Sequence, residues 1–152
     1  GFLCLQSALA DESKLLVKPG EKIAFMGDSI TQGGARKNGY ITLVMDALKK
    51  EGLNLTHIPA GKSGNRSNDM LARLDGSVIS KDPDWMILSC GVNDVWHFTL
   101  RLGQRTFEGV PLDDYKANIR KIIGKAGAAI DNADQGVAVF NHDVDLHRLS
   151  CR

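Results

Sequence analysis

Neither sign of charge is in excess: 19 Lys and Arg stand against 18 Asp and Glu, a formal net of +1 at pH 7. There is no broad field to hold nucleic acid or an anionic membrane, so neither is expected as a partner. Long apolar runs are missing too; none reaches the roughly 18 residues that a membrane span needs. Cysteine is scarce, and Cys4, Cys90 and Cys151 have the spacing of neither a disulfide framework nor a zinc site. The four histidines (His57, His97, His142 and His147) lack a metal spacing such as H-E-x-x-H, so no metal or cofactor is expected. Gly61-Lys62-Ser63 ends like a P-loop, but Thr56 stands where the first glycine belongs, and no G-x-G-x-x-G occurs. Internal repeats, low-complexity tracts and linkers are absent.

What is there suits one globular domain. The chain has 152 residues, 43% hydrophobic and 24% charged, which excludes a disordered or collagen-like chain and suffices for one sizeable core. Residues 1–10 are apolar and end in Ala8-Leu9-Ala10, the small-x-small pattern preferred before a signal-peptidase cut. They read as the remnant of an export signal, which points to a periplasmic or secreted protein. Residues 20–152 then form the domain.

Hydrophobic periodicity orders the rest. Lys22 to Gly27 is a short apolar run ending on glycine, a buried strand, and a Gly-rich loop (Gly33-Gly34 to Gly39) is expected after it. Ile41, Val44, Met45 and Leu48 mark one stripe of a helix closing near Gly52. Leu53, Leu55 and His57 alternate with polar neighbours before Ile58, a second strand ending at Pro59-Ala60-Gly61. Ser67 or Asn68 is positioned to cap a helix carrying Met70, Leu71 and Leu74. Trp85 to Cys90 reads as a third strand, and a polar and aromatic stretch runs from Asn93 to about Val110. Tyr115, Ile119, Ile122, Ile123 and Ala126 mark a helix begun by Pro111 to Asp113 and closed by Gly127, and Val137 to Phe140 a fourth strand. This alternation predicts a three-layer α/β fold, a flavodoxin-like parallel sheet flanked by helices. In such sheets ligands bind beyond the carboxyl ends of the strands. The polar clusters Gly27-Asp28-Ser29, Gly61 to Asn65 and Gly91 to Asp94 each follow a strand, so they are expected to converge on one rim.

Asp-Ser at a strand end is, taken alone, often only a helix cap. Gly27-Asp28-Ser29-Ile30-Thr31, Ser63-Gly64-Asn65 and Gly91-Val92-Asn93-Asp94 together, in that order on those elements, resemble the first three signature blocks of the SGNH hydrolases, the GDSL esterase/lipase family. The resemblance covers about residues 20–130. It implies the SGNH type of α/β fold and a serine esterase acting on short acyl esters, with acetyl groups on carbohydrate as one candidate substrate. Ser29 would be the nucleophile, and its backbone N–H one oxyanion donor. The Gly64 N–H and the Asn93 side-chain amide would be the second and third. Such roles suit the residue types: glycine lets an acyl oxygen approach the backbone, and a neutral amide donates without titrating. Asp28 and Asp94 are expected to brace the loops. The G-x-S-x-G elbow of α/β-hydrolases is absent, which disfavours that fold.

The family's fourth block, Asp-x-x-His, supplies the base and its orienting carboxylate, and it is missing here. Val144 and Val139 stand three residues before His147 and His142. His147, with Asp143 or Asp145 nearby, is the substitute candidate for the base. The short tail after the fourth strand leads us to expect a fold truncated at its C-terminus. A sheet edge left open in that way would invite pairing of copies. Two other functions compete with the esterase. One is a non-catalytic sugar- or acyl-binding module of the same fold. The other is a flavodoxin-like binder of phosphate or flavin, since Gly-rich strand-end loops can cradle phosphate.

Overall fold

The computed structural model describes residues 16–98, 101–102, 105–130 and 136–140. Cys4 and Cys151, the apolar segment 1–10, and the tail with His142, Asp143, Asp145 and His147 lie outside the described residues. Four parallel strands, β1 (Lys22–Gly27), β2 (Thr56–Gly61), β3 (Trp85–Ser89) and β6 (Gly136–Phe140), form one sheet in the order β2-β1-β3-β6. Between them run α1 (Ser29–Gly34), α2 (Tyr40–Lys50), α3 (Ser67–Ser77), α4 (Val92–Trp96) and α5 (Leu112–Ala129). A two-residue hairpin, β4 (Arg101–Leu102) with β5 (Arg105–Thr106), precedes α5. This is the expected α/β class, a sheet with helices on both faces.

Alternation along β1 builds both layers. Ala24 and Met26 face one way, into a core shared with Met86 and Leu88 of β3, Met70 and Leu74 of α3, and the stripe Ile119, Ile122 and Ala126 of α5. Ile23 and Phe25 face the other way and pack on Ile41 of α2. A strand buried on both faces is apolar throughout, which is why Lys22 to Gly27 reads as a continuous run. Each fully buried Leu, Ile or Met contributes about 1.5–3 kcal/mol, so α3 and α5 are held chiefly by these stripes. Among the described residues β2 pairs with β1 alone, and an edge strand tolerates Pro59, which has no N–H to donate.

Several expectations need correction. Gly33 and Gly34, expected to open a loop, instead end the helix Ser29–Gly34, which is started by the Asp28 carboxylate accepting from the Ile30 N–H at 2.8 Å. Its two glycines conceal a helix this short. Neither Ser67 nor Asn68 caps α3. Arg66 holds that position, and its own N–H donates to the Asp69 carboxylate at 3.0 Å, while the Ser67 hydroxyl is turned to Asp94. The stretch from Asn93 to Val110 contains α4 and the hairpin. Gly127 does not close α5, which runs to Ala129. Val44, counted in the α2 stripe, is 43% exposed; Ile41 carries the contact.

Candidate active site

The three strands that precede the signature blocks end level. Gly27 lies opposite Gly61 across β1 and β2, and Met26 opposite Leu88 across β1 and β3. The blocks therefore leave the sheet at one rim, where parallel sheets open a ligand crevice. A cleft of about 560 Å³ lies there, and Ser29, Gly64 and Asn93 all line it.

The first block is set by close packing. A Cβ on Gly61 would overlap the Gln32 backbone, and one on Gly27 would overlap Thr31 and approach Ser89 O at 3.0 Å. Only glycines at both strand ends let α1 sit down on the sheet. Asp28, 2% exposed, is consumed in capping α1, and the next residue, Ser29, is exposed at the cleft. Its N–H opens the first helical turn, where backbone donors have no partner within the helix. Gln32 of α1 reaches across, its Oε1 accepting from the Ser63 N–H at 2.8 Å, and so ties the first block to the second.

Gly64 has φ +76°, a left-handed backbone that strains any residue with a Cβ, and a Cβ there would meet open space. Both features suit a backbone donor facing a ligand. Asn93, 3% exposed on α4, donates from Nδ2 to the Asn65 carbonyl at 3.0 Å. An amide nitrogen carries two hydrogens, so one remains for a ligand. Asp94 does not line the cleft. Its buried carboxylate accepts from the Ser67 N–H at 2.9 and 3.1 Å and from the Ser67 hydroxyl at 2.5 Å, locking α4 against α3. Asn118 of α5 adds a bond to the same hydroxyl at 3.1 Å. The Cys90 thiol sits 3.7 Å from Asp94, and burial followed by that carboxylate pushes it well up, so it is inert.

The cleft is also lined by residues that the sequence did not assign to the site: Arg66, Asp69, Trp96, His97, Phe107 and Glu108. His97 is 7% exposed, with its ring 5.3 Å from that of Phe107. It follows Asn93 by four residues, the spacing that puts two side chains on one helical face, and that spacing is the signal that could have found it. Burial pushes the Asp69 carboxyl up. Hydrogen bonds from Arg66, with the charges of Arg66 and His97, outweigh burial and hold it below the usual carboxylate range. Arg66 Nη1 also donates to the Glu108 carbonyl, joining α3 to the segment before α5. His57 is on β2 and does not line the cleft; His147 lies outside the described residues.

A hydroxyl beside a backbone N–H and a neutral amide, gathered at the carboxyl rim of a doubly wound sheet, is a set suited to acyl transfer: a nucleophile and donors for negative charge. The chain belongs to the GDSL-like Lipase/Acylhydrolase family, whose sequence profile matches residues 25–146. It is 35% identical over 118 residues to an acetylxylan esterase of Geobacillus stearothermophilus, covering 68% of this chain and 53% of that one. An arylesterase of Vibrio mimicus is 32% identical over 95 residues, 61% of this chain and 44% of the relative. The crystal structure of the acetylxylan esterase Axe2 from Geobacillus stearothermophilus superposes with a TM-score of 0.70 at 29% identity, covering 82% of this chain and 61% of Axe2. Other structures of Axe2 are catalytic mutants in which a serine, an aspartate or a histidine is replaced by alanine. The chain thus spans about half the length of the curated relatives it matches.

Proposed function

We propose that the cleft is the active site of a serine esterase that removes short acyl groups, with acetylated carbohydrate as the substrate class. One observation carries this reading: Ser29, Gly64 and Asn93, which come from three different strand-end segments, line a single cleft. The Ser29 hydroxyl attacks the ester carbonyl while its proton passes to a base. The carbonyl oxygen becomes an oxyanion, met by the Ser29 N–H, the Gly64 N–H and the free hydrogen of the Asn93 amide. Collapse expels the alcohol, and water then attacks the acyl-serine by the same route. His147 is the candidate base within this sequence, and the catalytic serine, aspartate and histidine of Axe2 support a histidine in that role. The acetylxylan esterase relatives support acetyl groups on carbohydrate as the substrate.

Labelling by a fluorophosphonate probe tests the reading. Wild-type protein takes up one probe on Ser29 and releases acetate from acetylated xylooligosaccharides; Ser29→Ala does neither. Saturable sugar binding without labelling or turnover would instead make the cleft a binding module.

A further inference from the structure

Arg73 belongs to none of the three blocks, yet it touches two of the segments that carry them. It stands on α3, a helix anchored by the fully buried Met70 and Leu74. From that base its half-buried guanidinium reaches the rim. Nη2 donates to the carbonyl of Gly27, two residues before Ser29, at 3.0 Å. Nε donates to Oδ1 of Asn65, the residue after Gly64, at 2.5 Å. Asn65 is itself a junction, because its backbone carbonyl accepts from Asn93 Nδ2 at 3.0 Å. Every donor assigned to the oxyanion is therefore within two residues of this guanidinium's contacts or bonded to one of them.

We propose that Arg73 is a positioning residue, a strut from α3 that sets the separation of Ser29 from Gly64 and Asn93. This rests on the roles proposed above for those three. A guanidinium holds its donors in a fixed planar fork, so two acceptors bound to it keep a fixed mutual distance. An ammonium offers one point charge and cannot grip both in that geometry. The rim keeps other ties without it: the Lys62 N–H donates to Gly27 O at 3.0 Å, and the Ser63 N–H to Gln32 at 2.8 Å. Loss of Arg73 thus leaves a folded protein whose donors have loosened. Misplacement by about 1 Å can cost a reaction about 100-fold.

The test compares Arg73→Met, Arg73→Lys, Asn65→Ala and the Arg73→Met/Asn65→Ala double variant with wild type. The first readout is the rate of fluorophosphonate labelling of Ser29. The second is the NMR signal of the Gly64 backbone amide and the Asn93 side-chain amide. Arg73→Met should label about 100-fold more slowly, with Arg73→Lys only partly restored. Guanidinium ion at sub-denaturing concentration should speed Arg73→Met but not wild type. The double variant should be no slower than the worse single one, because both cut the same link. The Gly64 and Asn93 signals should shift or broaden while Leu88 in the core keeps its own. Wild-type labelling together with unmoved Gly64 and Asn93 signals, or multiplicative effects in the double variant, overturns the strut. Failure of the wild type to label removes the esterase reading instead, and the NMR signals alone then decide the strut. Should Arg73→Met not fold, Arg73→Lys and Asn65→Ala decide it.

Discussion

Replacing Asp94 by alanine removes the acceptor for two donors of Ser67 at once. Asp94 is 2% exposed and Ser67 is fully buried, so water cannot substitute easily. The Ser67 N–H, which accounts for both the 2.9 and the 3.1 Å contacts, has a fixed direction and is left unpaired. A buried donor without a partner costs about 1–3 kcal/mol. The Ser67 hydroxyl loses a charge-assisted bond of 2.5 Å but can rotate, so its loss lies at the low end of about 1.5–3 kcal/mol. Together with the small void, Asp94→Ala should cost about 3–5 kcal/mol, a large share of the total of about 5–15 for a domain. Asp94→Asn keeps the shape and one acceptor oxygen and should cost about half as much. Urea unfolding followed by far-UV circular dichroism reads both, as a lower midpoint at unchanged slope. A loss below about 1 kcal/mol for Asp94→Ala would refute the lock between α3 and α4. Full stability with abolished turnover in Asp94→Asn would make Asp94 a chemical group instead.

Two further outcomes follow from the same geometry. Asn93→Ala removes a candidate oxyanion donor and the tie to Asn65, so kcat should fall about 100- to 1,000-fold, or about 3–4 kcal/mol. The lost bond to the Asn65 carbonyl should lower folding stability by only about 1 kcal/mol, and a kcat unchanged within a factor of two would remove Asn93 from the reaction. The Asp69 carboxyl has a lowered pKa in the fold. Its contribution is therefore complete above the unfolded carboxylate value of about 3.9 and is lost as pH falls through the lower folded value. Asp69→Asn should flatten that acid limb of an unfolding midpoint-versus-pH curve and leave the curve near neutrality parallel to wild type; an identical acid limb would show that Arg66 does not hold the ionised form.

The sheet was legible because its signals are physical and local. Continuous apolar runs gave β1 and β3, alternation from Leu53 onward gave β2, which begins at Thr56, and helical stripes gave α3 and α5, since burial on one or both faces leaves those periods in the sequence. The short segments were less legible. Asp28-Ser29 offered a helix cap, but Gly33 and Gly34 read as loop; α1 forms because Asp28 caps it and the glycines at 27 and 61 let it close on the sheet. The hairpin of β4 and β5 has two residues a strand, too few for alternation to register. The lining residues Arg66, Asp69, His97 and Glu108 escaped because they meet only where the start of α3 reaches the end of α4 and the segment before α5, a long-range meeting that no spacing rule spans.

Much of what the signature blocks contain is scaffolding. In Gly-Asp-Ser the glycine admits α1 to the sheet and the aspartate caps it, and only the serine is left facing the cleft. In Gly-x-Asn-Asp the last aspartate fastens α4 to α3, and the asparagine alone turns to the rim. A hydroxyl and two amides become useful only at a fixed mutual distance, because donors aimed beforehand need no reorganisation when charge develops. The neighbours that supply this aim are two carboxylates and two small residues spent on backbone geometry. A search for titrating pairs would have fixed on Asp28 and Asp94, the two fully buried carboxylates among the described residues. Their hydrogen bonds show each one occupied with backbone N–H groups, and this is why the chemistry is assigned to the exposed serine between such supports.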